Sequence, residues 1–514
     1  MHVYKKVLTA LTLLGYGITV YAQVTKYTFG ERAVIAISDT GHTIINRNIY
    51  GQFAEHLGRC IYDGVYKDGK IRIDVVDALK KIQVPLLRWP GGCFADQYHW
   101  RDGIGDKKTR PETVNTQWGM VTEDNSFGTT EFMQLCKLIG CEPYVAGNMG
   151  TGSPQEMKDW IEYLNFDGKS TLANLRKAGG QTEPYHVKFW GVGNESWGCG
   201  GRMTPEDYAN KYREFAAFCK SYPGSPLQKM VSGANADDYH WTQVVMSSIP
   251  LYLMQGIGVH YYTTVDNEFG HGPATGFNED QYFKGMKNAL EIETIIVNHA
   301  AIMDRYDPHK QVMLAVDEWG ISLAPESGTN PNFLYQQNSM RDALIAASTL
   351  NIFNNHCDRI RMANLAQAVN VLQALILTKG NQMLLTPTYH VFDLYKAHQD
   401  ATWLPVKLQV PNYNYQYQSI PAVNVSASKD SKGVVHVSLV NLDSHQSIDV
   451  VASLGLTKAN TITGQILTSA KFSDTNTFEQ PDKIKIVSFS GATIAKNQIN
   501  VTLPPLSVVM LEIK

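Results

Sequence analysis

The chain has 514 residues, 44% of them hydrophobic and 18% charged, which excludes a disordered protein and exceeds what one hydrophobic core normally holds. With 45 Lys and Arg against 48 Asp and Glu, the formal net charge of -3 leaves no basic footprint for nucleic acid. The 26 Tyr and 9 Trp suit stacking on sugar faces, and suit a large core equally well.

At the N-terminus Lys5 and Lys6 precede an apolar stretch from Val7 to Val20, and the small residue Ala22 follows. That layout predicts a cleavable signal peptide over residues 1–22 and a periplasmic or extracellular mature protein with no membrane insertion. An uncleaved anchor is the alternative. The segment 23–43, containing TKYTFGERAVIAIS, has strand character and is expected to join a sandwich at the other end of the chain.

From residue 44 to 385 apolar runs alternate with amphipathic stretches. NIYGQFAEH, VPLLRWPGG, CEPYVAGN, VKFWGVGNE, KMVSGANA, IGVHYY, VMLAVDEWG and RIRMANLAQ read as strands. Between them DVVDALKKIQ, TTEFMQLCKLIG, SPQEMKDWIEYL, TPEDYANKYREFAAFCKSY and QYFKGMKNALEIETIIVNHAAIMDRY carry helical periodicity. Thr204-Pro205-Glu206 is a helix start, with a capping hydroxyl, Pro at the first position and an acid in the first turn. Eight such alternations predict an α/β fold, a (β/α)8 barrel whose active site lies at the C-terminal ends of its strands. Over 386–514 the pattern changes to period-two runs such as GVVHVSLVNLD and SIDVVASL, separated by turn residues, which predicts a jelly-roll-like β-sandwich.

The polar residues ending the barrel strands would meet at one mouth: Glu55, Arg88, Asn148, Asn194, Glu195, Asn235, His260, Tyr262, Glu318 and Gln367. Glu195 closes VKFWGVGNE and Glu318 falls in VMLAVDEWG, so two carboxyl groups arrive from two strands, as glycosidic bond cleavage needs. The alternative for each is an ordinary solvated or structural role: an ion pair for Arg88, a core histidine for His260, a helix-start polar group for Gln367. Seven cysteines (60, 93, 136, 141, 199, 219, 357) are an odd number without zinc-site spacing. Cys93 and Cys199 follow the second and fourth strands at the mouth, which leaves open a disulfide or two separate thiols.

The segments YGQFAEHLGRCIYDGVY, LLRWPGGCFADQYHWRDGIG, WGVGNESWGCGGRM, DEWG and RMANLAQAVNVLQALILT resemble glycoside hydrolase family 51, the α-L-arabinofuranosidases. The resemblance implies a retaining, exo-acting hydrolase that needs no cofactor or metal, acts on arabinose-containing polysaccharides or oligosaccharides, and forms a homo-oligomer, commonly a hexamer. It makes Glu195 the acid/base and Glu318 the nucleophile, about 5 to 5.5 Å apart. It places Glu55, Asn194, Tyr262, Gln367, Cys93 and Trp118 around the sugar, and Arg88 and His260 in support of the carboxylates. Many members carry a Trp shortly after the nucleophile; here Ile321-Ser322-Leu323 follows. The missing aromatic implies an open leaving-group side, with the stretch from Ser322 to Asn332 as a mobile rim or the gap filled by a neighbouring subunit. An endo-acting β-1,4-glucanase or xylanase on the same barrel and a carbohydrate-binding protein with a degenerate site are the rival readings.

Overall fold

The computed structural model describes residues 32–266, 271–455, 459–495 and 498–514, so the proposed signal segment 1–22 lies outside the described residues. Eight parallel strands close into a barrel in chain order: Gly51–Phe53, Leu86–Trp89, Glu142–Gly147, Phe189–Val192, Gln228–Asn235, Gly256–Thr263, Met313–Ile321 and Ile360–Ala366. Their near-continuous burial, complete across LLRW, FWGV and MLAVDEWGI, reflects a sheet covered on both faces. Leu86, Tyr144, Phe189, Met230, Met313, Ala315 and Met362 form a separate buried cluster drawn from these strands, so side chains and not water fill the barrel.

The helices between the strands start where the sequence places their caps. Thr204 accepts from Asp207 N at the head of Pro205–Phe218, and Ser153 from Glu156 N at the head of Pro154–Asn165. The segment after the eighth strand departs from expectation. No helix begins at Gln367; the chain instead forms an antiparallel hairpin, Ile376–Lys379 with Gln382–Leu385. The eighth helix, Pro387–Tyr395, comes only after that insertion, past the expected barrel limit at residue 385, and packs on the helix Met340–Asn355. The hairpin delays the amphipathic signal and hides the helix behind strand-like residues.

Two larger sheets, with a separate hairpin of Asn412–Tyr415 and Gln418–Pro421, make up most of the C-terminal region. One has five strands in the order Val406–Gln409, Arg32–Ile37, Ile448–Leu454, Gln498–Leu503 and Ala492–Ala495. The other has six, centred on Val423–Lys429, Val435–Asn441 and Ser507–Ile513. The N-terminal strand RAVIAI alternates exposed and buried, pairing in parallel with Ile448–Leu454 and antiparallel with Val406–Gln409.

The helix Met340–Asn355 is buried through all but its last residue, wedged between the barrel and the six-stranded sheet. Asn351 accepts from Ser438 Oγ at 2.6 Å, Asn355 donates to Val425 O at 2.9 Å, and Tyr282 donates to Leu442 O at 2.7 Å. One hydrophobic cluster runs unbroken from barrel to sandwich. The two units should therefore unfold in a single calorimetric transition; two resolved transitions would show that this shared core does not couple them.

Candidate active site

The strand ends deliver their polar groups to one small cavity of about 120 Å³, bordered by Glu55, Trp118, Glu195, Tyr262, Glu318 and Gln367. That is well below the several hundred Å³ of a pocket for a drug-sized ligand and suits one terminal sugar better than a polymer chain. A larger groove of about 500 Å³, lined by Thr130, Cys136, Lys137 and His186, contains none of these residues.

Glu318 lies within the seventh strand and is 5% exposed. Arg88 Nη1 donates to its Oε1 at 2.7 Å, and the Tyr262 hydroxyl donates to its Oε2 at 2.9 Å. Arg88 is itself buried, with Nη2 donating to Asn194 Oδ1 at 2.6 Å. A buried guanidinium spread across a carboxylate and an amide fixes both while supplying a permanent positive charge.

Glu195 sits just past the fourth strand at φ 38, in the left-handed region that a side chain ordinarily avoids. Gly198 N and Gly200 N both donate to its carbonyl, at 2.7 and 3.0 Å, and over-determine the turn that aims its carboxyl inward. Its Oε1 lies 2.9 Å from His260 Nδ1, which also faces Glu318 Oε2 across 3.5 Å. His260 Nε2 faces Asp317 Oδ1 at 3.3 Å, and Tyr144 donates to Asp317 Oδ2 at 2.9 Å. Burial opposes charge on this ring, but Glu318, Asp317 and Glu195 outweigh it and raise the pKa to about 10. His260 therefore favours the imidazolium form, its Nδ1 set to donate to Glu195 Oε1 and its Nε2 in ion-pair range of Asp317 Oδ1. Asp317 is held below its usual range despite burial, by His260 first and Arg88 second.

An imidazolium donating to Glu195 Oε1 leaves Oε2 as the oxygen able to carry a proton toward a substrate. Oxygens of Glu195 and Glu318 and a nitrogen of His260 lie within 4.8 Å of one another. So close an approach accords with the short spacing of a nucleophile and acid/base pair, about 5 to 5.5 Å between carboxyl groups, and not with the roughly 6.5 to 9.5 Å of an inverting pair.

Glu55 completes the floor. Its Oε1 accepts from Phe94 N and Trp118 Nε1, both at 2.9 Å, and its Oε2 from Gln367 Nε2 at 3.2 Å. A side chain at Gly92 would place its Cβ 2.5 Å from Glu55 Oε2, which is why the tight Gly-Gly turn is required there. Burial, then the charge of Glu318, pushes the Glu55 carboxyl up to about 8. Trp118 is presented by the hairpin Thr113–Asn115 and Val121–Glu123. Asn115 donates to Glu123 Oε1 and His56 O below it, and Glu123 Oε2 meets His56 Nδ1 at 3.1 Å.

Of the residues expected at the mouth, Asn194 is buried behind the pocket, and Asn148 is engaged with Tyr98 O and the backbone of Thr151 and Gly152. Asn235, at the end of the fifth strand, is exposed and is not among the cavity's lining residues. Cys93 and Cys199 form a disulfide, with Cα atoms 5.5 Å apart, which settles the open choice between bridge and separate thiols. Cys60, Cys136, Cys141, Cys219 and Cys357 are free. As a disulfide sulfur Cys93 has no hydrogen to give a sugar, so its contribution is contact alone.

Ser322 does face the cavity, beside Leu334 and Leu372. The rim beyond it is hydrogen-bonded to its neighbours where it begins. Ser322 N donates to Thr263 O and Leu323 N to Gln336 Oε1, both at 2.9 Å, and the Phe333 ring lies against Gly119 next to Trp118. Asp96 and Asp317 were not singled out from the sequence. Asp96 accepts from Met149 N, Gly150 N and Asn194 N at 2.7 to 3.0 Å, tying three strand-end loops together. Asp317 stands immediately before Glu318 in DEWG, a signal that was available.

Comparison with known proteins finds two family models. An α-L-arabinofuranosidase 1 domain matches residues 78–282 and an α-L-arabinofuranosidase C-terminal domain residues 317–507. A Bacteroides ovatus protein named as an intracellular exo-α-L-arabinofuranosidase is 46% identical over 99% of each chain. A crystal structure of the family 51 arabinofuranosidase of Xanthomonas axonopodis pv. citri is 46% identical, covers 94% of this chain and 100% of its own, and superposes with a TM-score of 0.93. That of a Thermotoga maritima α-L-arabinofuranosidase in an arabinose complex is 30% identical, covers 93% and 99%, and has a TM-score of 0.82. The Bacteroides relative overturns the reading of residues 1–22 as an export signal leading to a periplasmic or extracellular protein: a protein alike from end to end is named intracellular.

The raised Glu55 carboxyl has a measurable consequence. The fold favours its protonated form, so the stability this contributes is fully present below about 4.5 and lost as pH rises through about 8. Relative to the Glu55→Gln protein, the wild type should lose denaturant resistance between pH 5 and pH 8; a pH-independent difference would contradict the raised value.

Proposed function

The chain belongs to the α-L-arabinofuranosidases of glycoside hydrolase family 51, and within that activity we propose that Glu318 is the nucleophile and Glu195 the acid/base. The enzyme is an exo-acting retaining glycosidase that releases terminal arabinofuranosyl groups from arabinose-containing glycans; the endo-glucanase or xylanase alternative gains no support from these relatives. The observation that carries the assignment is the mutual approach of the two carboxylates within 4.8 Å around His260.

With the sugar seated over Glu55 and Trp118, the Glu318 carboxylate attacks the anomeric carbon while Glu195 passes the proton on its Oε2 to the departing oxygen. Glu318 then carries the arabinofuranosyl group. Glu195, now ionised, takes a proton from water as that water attacks the same carbon from the side the leaving group vacated, and Glu318 is released. Arg88 and Tyr262 keep the nucleophile aimed, and His260 holds Glu195 Oε1 so that only Oε2 exchanges a proton. Gln367 and Glu55, already hydrogen-bonded to each other, offer paired polar groups to sugar hydroxyls, with Asn194 supporting from behind. Family membership also supports a homo-oligomer, whose mass sedimentation equilibrium reads.

Two outcomes follow. For Glu195→Ala, kcat/KM on an unactivated arabino-oligosaccharide should fall at least about 100-fold, whereas on 4-nitrophenyl α-L-arabinofuranoside it should change far less, because nitrophenolate departs without a proton. Equal losses would contradict the acid role. Ser322→Trp places a large ring on the leaving-group side and should raise KM for branched oligosaccharides more than for the nitrophenyl glycoside. No change on either substrate would mean that position 322 does not reach the substrate.

A further inference from the structure

One corner of the pocket brings two sulfurs to the catalytic carboxyl. Cys199 Sγ lies 3.4 Å and Cys93 Sγ 3.8 Å from Glu195 Oε2, and Asn194 Nδ2 points at Cys199 Sγ across 3.9 Å. While the sulfurs are bonded to each other neither has a proton to donate, so they merely abut the oxygen that carries the transferable proton. Cys93 and Glu195 both line the cavity, so the corner is open to small solutes. Among the described residues, this trio is one of two groups whose metal-type ligand atoms all lie within 4.8 Å of one another.

We propose that reduction of the Cys93–Cys199 bridge turns this corner into a site for a thiophilic divalent cation of the zinc class, held by both thiolates and Glu195 Oε2, and that its occupancy silences the enzyme.

A tetrahedral ion with metal–sulfur bonds of about 2.3 Å and metal–oxygen bonds of about 2.0 to 2.2 Å has sulfur-to-oxygen edges of about 3.6 Å. The two edges present are 3.4 and 3.8 Å. Only the two sulfurs need to part, which cleavage of their bond allows. His260 Nδ1 holds Glu195 Oε1 at 2.9 Å, keeping Oε2 turned toward the sulfurs, and the Asn194 amide can donate to a thiolate. The other group, Glu195, His260 and Glu318, offers no thiolate, and Arg88 Nη1 already engages Glu318 Oε1 at 2.7 Å.

A dithiol supplies two electrons and its own two thiol protons and leaves as its disulfide, or a phosphine supplies the two electrons and leaves as its oxide, the oxide oxygen and both protons coming from one water; either way two thiols result. The cation then displaces both thiol protons and sits where Glu195 would hold its proton. Three protein ligands leave a fourth position for water or a sugar oxygen. Loss of activity rests on the acid/base role assigned to Glu195; formation of the site does not.

The test uses the full-length wild type, one portion air-oxidised and one reduced with a phosphine and desalted under argon, each titrated with Co²⁺ and Zn²⁺. The reduced protein should keep a cooperative melt and bind one Co²⁺ with thiolate-to-cobalt charge-transfer absorption, which Zn²⁺ abolishes by displacement. At ten times its Kd, zinc should lower hydrolysis by reduced enzyme about tenfold and leave oxidised enzyme unchanged, with activity restored by a chelator. The absorption should vanish in Cys199→Ser. Equal metal uptake by both forms, uptake without thiolate absorption, absorption that survives Cys199→Ser, or loss of the cooperative melt on reduction would each overturn the site. Thiolate absorption with undiminished hydrolysis would uphold the metal site, overturn the claim that its occupancy silences the enzyme, and contradict the proton-donor role of Glu195.

Discussion

Three carboxylates share one buried ring. Glu195, Asp317 and Glu318 all approach His260 within 3.5 Å, and among the described residues the other positive charge in contact with them is the Arg88 guanidinium on Glu318. Carboxylates so close in a water-poor site repel strongly, and two delocalised cations between them make the cluster possible. Removing either would leave a buried charge uncompensated, at a cost on the order of 3 to 5 kcal/mol. The geometry of catalysis and the electrostatic survival of the fold at this mouth are therefore one requirement.

The barrel meets that requirement by dividing labour along each strand. The lower halves supply Leu86, Tyr144, Phe189, Met230 and Met313 to a dry plug, so the strand ends above it cannot drift. The upper ends supply Arg88, His260 and Glu318 from rigid backbone. Glu195 comes from beyond a strand, as Glu55 and Gln367 do, and its left-handed backbone is secured by two glycine amides and, through Asn194 N, by Asp96. Asp96, pushed up to about 6 by burial against its three backbone hydrogen bonds, acts as a knot between loops and touches none of the reacting groups.

Much of this was legible in the sequence, for physical reasons that also mark where legibility stops. Parallel strands buried on both faces print continuous apolar runs, so the barrel and the positions closing its strands could be read, Glu195 and Glu318 among them. The hairpin after the eighth strand could not, because its residues mimic strand and turn and so displace the last helix from where the barrel repeat puts it. Asp96 and His56 have the wrong kind of signal: their work is done on backbone amides and on Glu123, contacts that no local pattern encodes. The rim showed turn-rich composition but not the side-chain amide of Gln336 that pins it. For Cys93 and Cys199 sequence position implied proximity, yet the bond depends on Cα atoms 106 residues apart meeting at 5.5 Å.

The central claim is that Glu195 and Glu318 are close enough for double displacement through a glycosyl–Glu318 intermediate. The most direct measurement is proton NMR of the first product released from an arabinofuranoside, recorded before the free sugar interconverts. The account predicts that the α-configured product appears first; initial release of the β-configured sugar would contradict it.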